Sequence, residues 1–336
     1  MTKRNLRWIV ATGLLLAISA CGGPVKDYDY RPFQPTDYFL PCFYADVEGM
    51  RLAYVEAGPA DAPVIIFIHG LLGRLDNWQY NVPALADRYH VIALDLPGYG
   101  NSQKDDRDYT IEFFAQVVRG LMDQKGIRKA TLVGNSMGGQ TAALFALRYP
   151  ERVDKLVLVD AAGLHRAPFG IRLLTRHTNR VADAIARRAQ RRAKGKTPEE
   201  LYPVLKAEFF NPEKRRGPAV FADAKSANAA AMLDGYAHYY ANLVKTEQFP
   251  WHVKAALRSM RSIVRTGLAG QVHAVSAPTL IIWGERDELV PVKFAELFHQ
   301  GIPGSKLVWI KAAGHVPMLE QPEEFNRALA EFLAGG

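Results

Sequence analysis

Short apolar runs rich in β-branched residues recur along the chain: Val64 to Ile68, Val91 to Leu94, Ala130 to Val133 and Leu156 to Val159. None alternates with polar positions, which predicts strands covered on both faces. Between them, Ile111 to Gly126 and Met137 to Tyr149 carry apolar residues at helical spacing, the second stopped by Pro150. Strand and helix in alternation predict an α/β domain with a mostly parallel central sheet and helices on both faces. The rhythm breaks off after Val159 and resumes at Pro278 to Trp283. A helix from about Pro291, a strand from Lys306 to Ile310 and a last helix from about Pro322 follow. The interval between holds no comparable strand, only helical patterns such as Leu174, Val181 and Ile185, and predicts an inserted helical cap.

The start of the chain has another pattern. Lys3, Arg4 and Arg7 precede an apolar run from Trp8 to Ile18, and the small residues Ser19 and Ala20 lead into Cys21. This is the order of a secretory signal, and the run is too short to span a bilayer. Ile18-Ser19-Ala20-Cys21 resembles the lipobox of bacterial lipoproteins. The resemblance implies a signal peptide over 1–20 and a lipid on Cys21. With Gly22 rather than aspartate next, it also implies the outer membrane of a Gram-negative cell envelope. Pro24, Pro32, Pro35 and Pro41 in the polar stretch that follows suit a flexible tether. The expected organisation is thus signal 1–20, lipidated cysteine and tether 21–43, core 44–161, cap 162–275 and core again 276–336.

Composition narrows the choice. The 336 residues are 49% hydrophobic and 23% charged, a folded body rather than a disordered chain or a polytopic membrane protein. Two cysteines exclude a disulfide framework and a four-cysteine zinc module. The net charge of +8 is unevenly spread: from Arg166 to Gly217 fourteen basic residues face five acids, so that stretch alone carries +9. Arg172, Arg176 and Arg180 recur at four-residue spacing, as do Arg187 with Arg191 and Arg188 with Arg192, predicting an amphipathic basic helix. For an exported, membrane-tethered protein the expected partner of this face is anionic lipid, not nucleic acid.

The candidate chemistry lies at the ends of the predicted strands. Gly134-Asn135-Ser136-Met137-Gly138-Gly139 leaves one strand and opens a helix, the setting in which G-x-S-x-G exposes a nucleophilic serine on a sharp turn. Serine needs a base titrating near neutrality, and His315, in a loop after the last strand, is that candidate. His165 and His238 lie in the cap within possible reach of substrate; the other histidines read as packing or surface residues. Asp287, after the strand ending at Trp283, is the orienting acid, with Asp160 as the alternative. Asp95-Leu96-Pro97-Gly98-Tyr99-Gly100 reads as a structural turn.

Together these motifs resemble the α/β-hydrolase superfamily, over about residues 44 to 334. GNSMGG at 134–139, LVDAAG at 158–163 and GHVPML at 314–319 look like bacterial lipases of the Moraxella and Psychrobacter type. The resemblance implies a carboxylic-ester hydrolase with an acyl-serine intermediate, the triad Ser136, Asp287 and His315, and no metal or organic cofactor. The backbone N–H groups of Leu71, in the turn after Ile68, and of Met137 are the implied oxyanion donors. Phe169, Leu173, Leu174, Phe209, Phe210, Phe221, Tyr236, Tyr239, Tyr240 and Phe249 either line an acyl pocket or pack the cap itself. Enzymes that hydrolyse carbon-carbon bonds in ring-cleavage products share GNSMGG, but Val316 stands where they carry tryptophan. A cofactor-free perhydrolase and a non-enzymatic lipoprotein binding module are the remaining alternatives.

Overall fold

The computed structural model describes residues 38–164, 178–210, 219–224 and 226–335. Eight strands form one sheet: β1 (Phe43–Val47), β2 (Met50–Ala57), β3 (Val64–Ile68), β4 (His90–Leu94), β5 (Ala130–Asn135), β6 (Val153–Val159), β7 (Thr279–Gly284) and β8 (Lys306–Ile310). Their order is β1-β2-β4-β3-β5-β6-β7-β8. All neighbours from β4 to β8 pair in parallel, while β1 with β2 and β2 with β4 run antiparallel. This is the mostly parallel α/β sheet that the alternation predicts.

The apolar runs are continuous because each strand feeds two cores. In β3, Ile66 and Ile68 point into one cluster with Phe114, Val118 and Phe145, while Ile65 and Phe67 point into the other with Trp78, Phe325 and Leu329. Successive side chains of a strand face opposite ways, so a sheet covered on both sides needs apolar residues at every position. The covering helices are α1 (Val82–Leu85), α2 (Ile111–Gln124), α3 (Met137–Arg148), and, after the cap, α8 (Lys293–Gly301), α9 (Pro317–Glu320) and α10 (Pro322–Ala334). The β1–β2 hairpin is absent from the strands that the apolar runs predict. β1 buries only Ala45 and Val47, so it lacks the double-sided signal, and it turns at Glu48 and Gly49 with φ of 52° and 69°.

Between β6 and β7 the described residues form α4 (Thr178–Ala193), α5 (Pro198–Phe210), α6 (Ala227–Leu243) and α7 (Phe249–Arg265), with no strand among them. The two ends of this insertion meet, since Leu268 N–H donates to Gly163 O at 2.8 Å. The expected apolar stripe of α4 needs correction. Val181 is 40% exposed, and the buried face is Ala182, Ile185, Ala186, Ala189 and Ala193. Small alanines let α4 lie close against α7, and that approach, rather than side-chain size, sets which face turns inward. Leu174, Arg172 and Arg176 lie outside the described residues.

The signal segment 1–20, Cys21 and the tether up to residue 37 also lie outside the described residues. Tyr38, expected in the tether, is instead buried on the body. Among the described residues no helix is long and apolar enough to cross a membrane.

Candidate active site

The turn between β5 and α3 places Ser136. Its φ of 55° and ψ of −114° are strained, and three bonds hold it there: Ser136 N–H donates to Val159 O at 2.9 Å, while Ser136 O accepts from Gln140 and Ala162 N–H, both at 3.0 Å. The turn is possible because Gly138 has no side chain; a Cβ there would lie 2.1 Å from Ile68 O. Strand, turn and helix thus compress around the predicted nucleophile, which remains partly exposed.

His315 and Asp287 meet across two loops. His315 Nδ1 lies 2.8 Å from Asp287 Oδ2, and both side chains are buried. The other Asp287 oxygen accepts from Leu289 N–H at 2.7 Å and Val290 N–H at 3.0 Å, so the carboxylate is fixed before it meets the imidazole. Arg286 N–H donates to Ala313 O at 2.9 Å, zipping the two loops together. Their approach demands glycine: a Cβ on Gly284 would stand 1.9 Å from Gly314 O. With Nδ1–H donated to Asp287, the Nε2 of His315 is left as the basic nitrogen.

The turn after β3 closes beside the serine. A Cβ on Gly70 would lie 3.1 Å from Ser136 Cβ, and Gly73 N–H folds back to Gly70 O at 3.0 Å. Among the described residues, neither Leu71 N–H nor Met137 N–H has a backbone or capping acceptor. His69 anchors this turn. Its Nδ1 donates to Gly70 O at 2.7 Å and its Nε2 accepts from Leu96 N–H at 2.9 Å. Full burial pushes its pKa down, so the ring is neutral and serves as a strut.

Of two further positioning residues, one lies inside the serine motif and one escapes the motif reading. Asn135 Nδ2 donates to His315 O at 3.0 Å and to Val159 O at 3.3 Å, tying the serine strand to the histidine loop. Its place beside the nucleophile is the sequence signal that it could fix this turn. Glu320 accepts from Gly314 N–H at 2.8 Å and Ala222 N–H at 2.6 Å, and His315 N–H donates to Val220 O at 2.7 Å. The histidine loop is thus held by residues of the insertion that lie between α5 and α6. Burial raises the Glu320 pKa while these backbone donors oppose the rise.

Other candidates fall elsewhere. His238 stacks on Tyr202 at 3.9 Å beside Asp234, and His165 lies outside the described residues. An apolar chamber opens off Leu71 and Leu72 into the cap, between Ile185, Leu205, Leu257 and Met260. Tyr240 and Phe249 line it, Phe221 joins the main core, and Tyr236 and Tyr239 surround the Arg74 guanidinium. Phe169, Leu173 and Leu174 lie outside the described residues. Asp160, Asp287 and His315 bring ligand-type atoms within 4.8 Å of one another, but a cation there would have to break the His315–Asp287 hydrogen bond.

Residues 63–322 match the model of a family described by its alpha/beta hydrolase fold. Over 294 residues the chain is 33% identical to the dihydrolipoyllysine-residue acetyltransferase component of the acetoin cleaving system of Cupriavidus necator, covering 87% of this chain and 69% of that one. It is 29% identical over 313 residues to 2-hydroxy-6-oxo-6-phenylhexa-2,4-dienoate hydrolase of Comamonas testosteroni, covering 89% and 96%. Among solved structures, a membrane phospholipase A described as a novel bacterial virulence factor superposes with a TM-score of 0.65 at 28% identity, covering 98% of this chain and 90% of that one.

Proposed function

Because the chain belongs to the alpha/beta hydrolase family, whose model spans residues 63–322, we propose that it is a carboxylic-ester hydrolase working through an acyl-serine intermediate. The observation that carries this reading is the His315–Asp287 pair at 2.8 Å, tied through Asn135 to the strained turn bearing Ser136. Ser136 Oγ attacks the ester carbonyl while His315 Nε2 takes its proton and then returns it to the leaving alcohol. Asp287 holds the imidazole in the required tautomer and stabilises the transient imidazolium. Leu71 and Met137 N–H groups receive the oxyanion, each donor worth on the order of 3 kcal/mol. Water then cleaves the acyl-enzyme by the same relay.

The chamber beside Leu71 and Leu72 supports an aliphatic acyl group, since its wall is Ile185, Leu205, Leu257 and Met260. Each methylene buried there contributes about 0.8 kcal/mol. With p-nitrophenyl esters, kcat/KM therefore rises about tenfold from acetate to butyrate, and a fluorophosphonate labels the protein. No turnover at any chain length together with no labelling would sink this reading. The Comamonas testosteroni relative favours a second one, carbon-carbon bond hydrolysis of a ring-cleavage product. One feature weighs against it, since Val316 follows the histidine; among the described residues, the buried cap arginine Arg258 is engaged by Asp106, Asn179 and Arg107 O.

The proposal extends to place. Cys21 anchors the protein to the cell envelope, most simply the outer membrane, and the basic face of α4 meets anionic lipid. Arg180, Arg187 and Arg191 are exposed on the side of α4 opposite the buried face, whose residues Ile185 and Ala189 wall the chamber. One helix thus offers cations to headgroups and an apolar wall to acyl chains. Attraction of about 1 kcal/mol per basic residue is expected at low salt. A form beginning after Cys21 binds anionic vesicles at least tenfold more tightly than neutral ones at low salt, and high salt abolishes the difference. Equal binding under all these conditions would refute the α4 surface, and retention of a Cys21→Ala variant in the membrane fraction after a high-salt wash would refute the anchor.

A further inference from the structure

The turn that offers Leu71 N–H is clamped at both ends. Before it stands the His69 strut, and after it stands Arg74, whose N–H donates to Asn77 Oδ1 at 2.8 Å. Between them Leu72 adopts a left-handed φ of 61°, a strained backbone that persists where the surrounding structure holds it. At the far end the hold is the Arg74 side chain, which is buried although it carries a charge.

Three tyrosine rings and a carboxylate surround that guanidinium. Its centre lies 5.4 Å from the Tyr38 ring, 5.9 Å from the Tyr236 ring and 4.6 Å from the Tyr239 ring, close enough for cation-π attraction to each. Asp76 pairs with it. Tyr236 and Tyr239 belong to α6 of the cap, and their hydroxyls donate to Asn77 Oδ1 and Gly100 O, both at 3.2 Å. Tyr38 arrives from the N-terminal segment and reaches the turn by two routes. Its ring meets Arg74, and its O–H donates at 2.5 Å to Asp95 Oδ2, while Asp95 Oδ1 accepts from Leu75 N–H at 2.8 Å. Burial pushes the Tyr38 phenol well above its ordinary range, so the group is a neutral donor.

We propose that Tyr38 is a positioning residue: by packing on Arg74 and bonding to Asp95, it fixes the turn so that Leu71 N–H is aimed at the developing oxyanion. This rests on the acyl-serine reading, whose scheme uses neither Tyr38 nor Arg74. Without the Tyr38 ring, Arg74 loses one wall of its cage and Leu72 is free to relax toward an unstrained φ. That rotation swings the adjoining Leu71 peptide off its line. Substrate binding in the ground state draws on the apolar chamber instead and is left as it was. The segment that reads as a tether therefore also completes the catalytic end of the sheet.

The test compares full-length Tyr38→Ala and Tyr38→Phe with the parent protein on the butyrate ester at low temperature, with a melting temperature for each. Tyr38→Ala lowers kcat and kcat/KM together by about tenfold to a hundredfold, the scale for one displaced donor, while KM changes by less than about twofold. A trifluoromethyl ketone, whose serine adduct places an oxyanion at the same donors, binds more weakly by a matching factor. Tyr38→Phe keeps its ring on Arg74 and loses only a few-fold. In an Arg74→Met background, Tyr38→Ala costs no more than Tyr38→Phe does in the parent, because the Asp95 bond is all that is left to lose. A Tyr38→Ala kcat within about twofold of the parent, a loss carried by KM with ketone binding unchanged, or an undiminished loss in the Arg74→Met background would overturn the proposal. Tyr38→Leu replaces Tyr38→Ala if the latter does not fold. Failure of the parent protein to label with fluorophosphonate would instead overturn the acyl-serine reading itself.

Discussion

Ser136→Ala lowers kcat for ester hydrolysis by about 10⁴- to 10⁶-fold and abolishes fluorophosphonate labelling, while the melting temperature stays within a few degrees. The size of the loss follows from removing the atom that forms the covalent intermediate. What remains is catalysis by binding and by the oxyanion donors alone. Stability is spared because the bonds that hold this turn are made by the Ser136 backbone, to Val159, Gln140 and Ala162, and alanine keeps all of them. Alanine also meets no new strain, since serine already carries a Cβ at φ of 55°. Steady-state kinetics and mass spectrometry of the labelled protein check both halves. A loss under a hundredfold would mean that another group attacks the ester.

Asp95→Ala has the opposite profile and destabilises the fold by about 3–5 kcal/mol, the range for breaking a buried charged network. Asp95 follows β4 and is completely buried. Its Oδ1 accepts from Leu75 N–H at 2.8 Å, and its Oδ2 accepts from Asn101 N–H at 2.7 Å and Tyr38 O–H at 2.5 Å. Alanine leaves these donors buried and unpaired, each costing on the order of 1–3 kcal/mol. The melting temperature is expected to fall by roughly 10 °C. Asp95→Asn falls less, because its amide oxygen still serves one side of the network. Because Leu75 directly follows the turn that carries Leu71, ester turnover at low temperature also drops in the folded fraction. Thermal melts at several scan rates and kinetics at 10 °C measure the two effects. An unchanged melting temperature would show that Asp95 is not the tie between these loops.

The strands β3 to β8 and the serine turn are legible because their signals lie within one element. Unbroken apolar runs report a sheet covered on both faces, and Gly134 to Gly139 reports a strand bending sharply into a helix. The β1–β2 hairpin is less legible, since β1 is covered on one face only and carries no such run. The inward face of α4 is misread from side-chain size at Val181, because the close approach of α7 selects alanine instead. Asn135 is visible in the sequence as the neighbour of Ser136 that could fix its turn, whereas Glu320 leaves almost no trace, although both hold the His315 loop.

By itself the sequence determined what short-range sterics and periodicity dictate: the α/β alternation, the interruption after Val159, the strained serine turn, and the residue types available for a triad. Only the tertiary structure decided which of those residues meet. Asp287 and Asp160 are both aspartates after parallel strands, and the strand-end position alone does not distinguish them. Packing does: Asp287 accepts from Leu289 and Val290 N–H and meets His315 Nδ1, whereas Asp160 accepts from Gly284 N–H. Such a choice depends on hydrogen bonds between segments far apart in the chain, whose geometry exists only once β6, β7 and β8 lie side by side.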